Sequence, residues 1–145
     1  MVHQPIENLE VFALFEEVAT WAWEKVASWE YFGKRTVGDQ LVRAADSINA
    51  NLVEGDGRYT TNDSLRFFYI ARASARETEL WITRAISRGL LDEPEGSGKL
   101  KKLKIAMRLL NNLIDYRRRS KEEGFVKEDL ASYNTGIEIE ARGEG

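Results

Sequence analysis

Four long segments of this 145-residue chain carry apolar residues at every third or fourth position. That spacing places side chains along one face of an α-helix, whereas the apolar residues of a half-buried β-strand alternate. The chain has only two prolines, Pro5 and Pro94, so little interrupts the segments between them. In the first segment, residues 8–29, the apolar positions are Leu9, Phe12, Phe15, Ala19, Trp23, Val26 and Trp29.

Polar and glycine-rich sequences separate the four segments. The second segment covers residues 37–54, and we expect Gly55 and Gly57 to form its C-cap and turn. The third begins at the N-capping sequence TTNDS, residues 60–64, and ends at Gly89, with Leu90 placed for the apolar contact of a Schellman cap. The fourth covers residues 99–122, and we expect loops at residues 29–38 and 92–98.

The lengths of these segments favour one architecture. Helices of about 18–27 residues are about 27–40 Å long, and short connections place consecutive helices side by side. The sequence therefore predicts an all-α protein, an antiparallel up-and-down four-helix bundle over residues 1–124, followed by an irregular acidic tail over residues 125–145. A second apolar strip on the fourth segment is interpreted either as a partly exposed flank or as a subunit contact; its residues are Ile105, Leu109 and Tyr116. We expect the four tryptophans to lie in the core or at subunit contacts: Trp21, Trp23, Trp29 and Trp81.

Composition excludes several classes of protein. Apolar residues make up 43% of the chain and charged residues 31%, which is typical of a globular domain. Because there is no cysteine, disulfides, thiolate metal sites and a cysteine nucleophile are excluded. No stretch approaches the 18 or so apolar residues of a membrane span, so we expect a soluble cytoplasmic protein.

The second segment contains polar residues that form a stripe of their own. They lie within an arc of about 80° at 100° per residue, apart from the apolar face. One interpretation is a half-buried hydrogen-bond network that fixes helix register together with residues of the third segment. Another is a metal or acid–base site formed by Glu54, Asp56, Glu77 and Glu79, and a third is a contact with a ligand. The network, called the polar stripe below, is Gln40, Arg43, Ser47, Asn51 and Glu54, with Arg72 and Glu77 as partners.

Two motifs in the second and third segments resemble those of the four-helix bundle protein family also described as 23S ribosomal RNA intervening-sequence proteins. The sequence QLVRAADSINANLVEGDGR, beginning at Gln40, carries the first motif, and FFYIARASARETE, beginning at Phe67, carries the second. The resemblance covers about residues 8–120. Where the family often has glycine and proline, this chain has Ala73 and Asn49. The matching positions are Gln40, Leu41, Arg43, Ala44, Ala45, Ser47, Ile48, Ala50, Asn51, Glu54, Gly55, Ala71, Arg72, Ser74 and Glu77.

The resemblance implies a ring-shaped homo-oligomer, commonly a homopentamer, with no established catalytic activity. A related group, the accessory variability determinants of diversity-generating retroelements, is implied to bind nucleic acid and a reverse transcriptase. That group is basic, whereas this chain has a net charge of −3.

Residues 99–121 carry nine bases and one acid, Asp115. Four of these bases share one helical face, and we name them the basic face: Lys101, Lys104, Arg108 and Arg119. They are either solvated surface charges or a site for an RNA or DNA backbone. A third alternative is that acidic tail residues such as Glu138, Glu140 and Glu144 cover this face on a neighbouring subunit. The single histidine, His3, cannot supply a di-iron site or a Ser–His–Asp triad. We therefore expect a non-catalytic interaction scaffold without a cofactor; the alternative is a metal-dependent hydrolase that uses Glu54, Asp56 and Glu77.

Overall fold

Four long helices account for most of the structure, a computed structural model that describes residues 4–123. A 3₁₀ turn at Ile6–Asn8 precedes helix α1, Glu10–Ala27. A short helix, Tyr31–Gly33, and a π-helical turn, Lys34–Gly38, lead into α2, Asp39–Asp56. Helices α3 and α4 are Thr61–Ser87 and Glu93–Glu123. Residues 4–123 thus form helices joined by short turns, without a strand, as the apolar periodicity predicts. The tail over residues 125–145 and His3 lie outside this range.

Neighbouring helices run in opposite directions. Ser47 of α2 contacts Ser74 of α3, whereas Gly55, later in α2, contacts Ser64, earlier in α3. The same reversal relates α1 to α2, α3 to α4, and α4 back to α1. Phe12 and Val26 of α1 lie against Asn49 of α2 and Gly38, its N-cap, respectively. Tyr69 and Ile86 of α3 lie against Arg118 and Gly96 of α4. Glu17 and Trp21 of α1 lie against Lys102 and Glu95 of α4.

The core lies along the common axis of the four helices. Each helix contributes fully buried side chains to it, so the apolar faces predicted from periodicity meet at the centre. Among these side chains are Phe15, Leu41, Ile48, Leu52, Phe68, Ile82, Leu103, Leu110 and Leu113.

Helix α3 begins and ends where its sequence predicts. Thr60 is the N-cap, and its Oγ1 accepts a hydrogen bond from the backbone N–H of Asp63 at 3.2 Å. At the other end Gly89 has φ +76°, and the N–H groups of Gly89 and Leu90 donate to the carbonyls of Ile86 and Ala85. This is the hydrogen-bond pattern of a Schellman motif.

The two loops expected at residues 29–38 and 92–98 are largely helical, so that prediction is wrong. Their glycines allow close packing instead of breaking the helices. A Cβ at Gly38 would lie 2.6 Å from Val26 Cγ1, and one at Gly96 would lie 2.5 Å from Ile86 Cδ1. Pro94 lies in the first turn of α4, where its missing N–H costs no helical hydrogen bond.

Packing bears on two further expectations. Gly55 lies inside α2 and is buried, and the C-cap is Gly57. The second apolar strip of α4 faces its own bundle, because Leu109 is only 1% exposed and both Ile105 and Tyr116 pack against the core. Ile105 and Tyr116 are half-buried, as a partly exposed flank would be, whereas Leu109 belongs to the core.

Candidate functional site

Ser47 and Asn51 of the polar stripe bond to each other, and Ser47 also bonds to α3. The hydroxyls of Ser47 and Ser74 lie 2.8 Å apart, and Asn51 Nδ2 donates to the carbonyl and the hydroxyl oxygen of Ser47 at 2.8 and 3.0 Å. Ser74 is buried, and Ser47 and Asn51 are half-buried. Because small residues line this crossing, α2 and α3 approach closely enough for two serine hydroxyls to meet.

The other members of the polar stripe lie apart from this pair. Gln40 and Arg43 are exposed. Glu54 is also exposed and accepts a hydrogen bond from Arg58, one turn later in the chain. The structure therefore brings Ser47 and Asn51 together and places the remaining α2 members at the surface.

Arg72 and Glu77, the two α3 residues expected to bond to the polar stripe, bond to other residues. Arg72 donates to Asn111 of α4 at 3.3 Å. Glu77 is exposed and accepts from the indole N–H of Trp81 at 3.3 Å. The seven residues consequently form separate local groups.

The four carboxylates considered as a metal or acid–base site do not converge. Glu54 pairs with Arg58, Asp56 pairs with Arg117, and Glu77 lies beside Trp81. Within residues 4–123, no three His, Cys, Asp or Glu side chains are placed to hold a metal ion. The carboxylate cluster of the hydrolase hypothesis is thus not assembled.

Asn49 is a buried polar residue that the sequence reasoning missed. It is 5% exposed, and its Nδ2 donates to the Phe12 carbonyl and to Glu16 Oε1, both at 3.0 Å. These bonds connect α2 to α1 rather than to α3. A signal was available, since Asn49 follows the buried Ala45 by one helical turn.

A second group that the sequence reasoning missed surrounds Arg117, which is only 5% exposed. Arg117 Nη2 lies 3.2 Å from Asp56 Oδ1, and Nη1 donates to Ser64 Oγ at 3.3 Å. Asp56 Oδ2 also accepts from the N–H of Ile6, and the guanidinium lies 5.2 Å from the Phe68 ring centroid. Burial lowers the pKa of Arg117, and the charge of Asp56 opposes that shift. The pair ties the N-terminal turn, α2, α3 and α4 together at one end of the bundle.

The four residues of the basic face all occupy exposed positions on α4. At 100° and 1.5 Å per residue they lie within an arc of about 60° and extend over about 27 Å. Asp115 shares the arc, and its Oδ1 lies 3.6 Å from Arg118 Nη1. Several other α4 cations contact partners within the bundle: Lys99 and Lys102 with Glu17, Arg117 with Asp56, Arg118 with Tyr69, and Lys121 with Asn62.

One of the four tryptophans lies at the surface. Trp23 is 65% exposed, whereas Trp21, Trp29 and Trp81 are half-buried and pack against the core. Trp23 lines a groove of about 340 Å³ between α1 and α2, together with Val26, Ala27 and Val42. The charged side chains at its rim are Lys34, Asp39 and Arg43. We call this feature the Trp23 groove.

None of the helices within residues 4–123 is long and apolar enough to cross a membrane.

Comparison with known proteins gives one family and one fold. The family model described as 23S rRNA-intervening sequence protein matches residues 7–112. A crystal structure of a protein with unknown function from the S23 ribosomal protein family of Bacteroides thetaiotaomicron is similar, with a TM-score of 0.65 and 21% identity. The match covers 72% of this chain and 97% of that one. At this identity the likeness shows the fold alone, and no curated protein matches the chain.

Proposed function

The chain belongs to the 23S rRNA-intervening sequence protein family, and from that premise we propose that it is a non-catalytic, oligomeric interaction scaffold that binds nucleic acid. The basic face of α4 is the proposed site, and the phosphate backbone of RNA or DNA is the proposed ligand. The single observation that carries this proposal is the row of four exposed cations, Lys101, Lys104, Arg108 and Arg119, on one face of one helix.

The geometry of the basic face suits binding to a phosphate backbone and not recognition of a base sequence. About 27 Å corresponds to about eight base-pair steps of 3.4 Å, so the row can follow one stretch of phosphates. Backbone contacts of this kind position a nucleic acid without reading its sequence. We therefore expect little preference for sequence and a strong dependence on salt.

The salt dependence gives a quantitative test. Four phosphate contacts predict a slope of log affinity against log salt of about −3.6 for a DNA duplex and about −2.8 for a single strand, per protomer. Replacing Lys101, Lys104 and Arg108 together by alanine removes three contacts, so the slope should become shallower by about 2–3 units. Fluorescence anisotropy with labelled RNA and DNA between 50 and 300 mM KCl measures both quantities.

A second triple variant supplies a control of equal charge. Arg66, Arg76 and Arg88 are exposed and lie outside both α4 and the Trp23 groove, so their replacement by alanine removes the same three charges elsewhere. The proposal requires the α4 variant to bind weakly and the control to retain the slope of the parent protein. Equal affinity of the α4 variant and the parent protein would remove the basic face from consideration.

We also propose that the protein assembles into a ring-shaped homo-oligomer, a pentamer by family resemblance, with the Trp23 groove at the subunit contact. An exposed tryptophan beside Val42 and Ala27 is typical of a surface that another protein covers. Light scattering should give about five times the chain mass of 16.6 kDa at micromolar concentration. A monomer would contradict the proposal, and Trp23→Glu should lower the mass.

A reverse transcriptase is the protein partner that the resemblance to accessory variability determinants suggests. We propose that the two proteins meet in the cytoplasm. Its support is the resemblance together with the basic face on α4. The genes beside this one provide an inexpensive test, since a reverse transcriptase gene or a ribosomal RNA insert nearby would identify the partner. If neither gene lies nearby, a nucleic acid alone is favoured as the ligand.

A further inference from the structure

A small cavity lies at the end of the bundle where α3 begins and α4 approaches its last turns. Its volume is about 120 Å³. Arginine, tyrosine, threonine and serine residues line it, and none of the described lining residues is a carboxylate. The basic face does not contribute to it. The lining thus carries two guanidinium groups, those of Arg58 and Arg117, whose carboxylate partners lie outside it.

The Nε atoms of Arg58 and Arg117 and the Oγ atom of Ser120 belong to lining residues. They are buried and have no hydrogen-bond partner within residues 4–123. Arg117 and Ser120 are 5% and 7% exposed. Arg58 Nε lies 3.6 Å from Asp63 Oδ2, which is too far for a hydrogen bond.

The chemistry of these atoms specifies the missing partner. A guanidinium N–H can only donate, and a serine hydroxyl can donate, so the partner must offer several acceptor oxygens. Both guanidinium groups are already held through their Nη atoms, Arg58 by Glu54 and Arg117 by Asp56 and Ser64. The two Nε donors are therefore fixed in position and still unsatisfied.

The start of α3 is a third feature that favours anion binding. Thr60, the N-cap, and Thr61, the first helical residue, both line the cavity. The N-terminal end of a helix carries a partial positive charge, which stabilises an anion there. Fixed donors, two cations and a helix N-terminus thus surround the same small volume.

We propose that this cavity binds a phosphate group, either as free phosphate or as a phosphate monoester, through Arg58, Arg117 and Ser120. A volume of about 120 Å³ is large enough for one tetrahedral oxyanion. The proposal rests on the cavity alone and does not depend on nucleic-acid binding by the basic face.

Calorimetric titration of the full-length protein with inorganic phosphate, in a KCl buffer of constant ionic strength, tests the proposal. We expect saturable binding of one phosphate per protomer. A charge-assisted hydrogen bond contributes about 1.5–3 kcal/mol, so Arg58→Gln should weaken binding about tenfold or more. Ser120→Ala should also weaken it, and this variant removes only a hydroxyl that makes no hydrogen bond in the described fold.

Arg66 provides the matched control. Like Arg58, it contacts Asp63 and lies over the Phe67 ring, at 4.4 Å compared with 4.5 Å for Arg58, but it does not line the cavity. Arg66→Gln should therefore change phosphate affinity less than twofold. Equal weakening by Arg58→Gln and Arg66→Gln would show a general charge effect and overturn the assignment.

Two further titrations identify the source of the phosphate. A nucleoside monophosphate and its parent nucleoside differ only in the phosphate group. Binding of inorganic phosphate assigns the cavity to the free anion, and binding of the monophosphate without the nucleoside assigns it to the ester. If neither inorganic phosphate nor the monophosphate gives saturable binding, the cavity holds only water and the proposal is wrong.

Discussion

Gly55 lies where α2 and α3 approach each other, and its replacement by alanine tests that packing directly. In most helix interiors Gly→Ala is stabilising by about 1 kcal/mol, because alanine has the higher helix propensity. At this position a Cβ would lie 2.9 Å from the Cδ1 and Cε1 atoms of Phe68 and 2.9 Å from the carbonyl oxygen of Ser64. Phe68 is fully buried, and the Ser64 oxygen belongs to the backbone of α3, so neither can move aside without displacing a helix.

The expected magnitude follows from these two opposing terms. Overpacking a core by one methyl group costs about 1–3 kcal/mol. We expect the upper part of that range, because a rigid backbone atom and a fully buried ring must both give way by several tenths of an ångström. After the propensity gain of about 1 kcal/mol is subtracted, Gly55→Ala should lower the free energy of unfolding by about 1–2 kcal/mol.

Urea denaturation followed by circular dichroism, at one fixed protein concentration, measures this loss. Gly98 is the control, because it lies within α4 and a Cβ there would meet nothing within 4 Å. Gly98→Ala should therefore stabilise the protein by about 0.5–1 kcal/mol. If both substitutions stabilise the protein, the close approach of α2 and α3 at Gly55 is refuted.

The remaining predictions concern charged groups. Asp56→Ala leaves the buried Arg117 without its counter-charge and should cost about 3–5 kcal/mol in the same assay; a loss below 1 kcal/mol would contradict the pairing. Burial is the main reason that the pKa of Asp46 is raised above 3.8, so Asp46→Asn should stabilise the fold at pH 7, with the difference vanishing as the pH falls to 3.8 and below. The pKa of Glu95 is lowered from 4.5, chiefly by the hydrogen bond from Lys25, so Glu95→Gln should destabilise the fold at pH 7, and that difference should vanish as the pH falls below 4.5. Denaturation of the two variants between pH 7 and pH 3 should therefore show differences of opposite sign that both disappear in acid.

The sequence predicts the four helices because each carries a strong local signal. Apolar periodicity identifies their faces, and the Thr60 cap and the glycine turn at Gly89 fix both ends of α3. The start of α4 is predicted less well, since residues 92–98 are expected to form a loop but the helix begins at Glu93. Residues 31–38 are helical as well, although Gly33 and Gly38 interrupt the apolar pattern there. Whether a glycine ends a helix or admits a neighbour depends on what packs against it, and that information is not local.

Prediction of the polar stripe shows the same limit. A helical arc specifies which residues share a face, but it does not specify which helix that face meets. Ser47 and Asn51 lie towards α3, whereas Asn49, two positions from each, is the most buried polar residue of α2 and bonds to α1. Only the arrangement of the bundle distinguishes a half-buried amide from a fully buried one.

The group at the end of the bundle could not be derived from any one segment. Arg117 is one of nine bases in residues 99–121, and its sequence context resembles that of its exposed neighbours Arg118 and Arg119. Arg117 differs from these neighbours because it contacts Asp56 and Ser64 inside the bundle. These residues lie 61 and 53 positions earlier in the chain. Ser64 also donates to the carbonyl of Gly55, so the close crossing of α2 and α3 holds the hydroxyl that Arg117 contacts. Helix packing thus determines both which arginine is buried and where its Nε donor is held, and the proposed phosphate site exists only once the fold is complete.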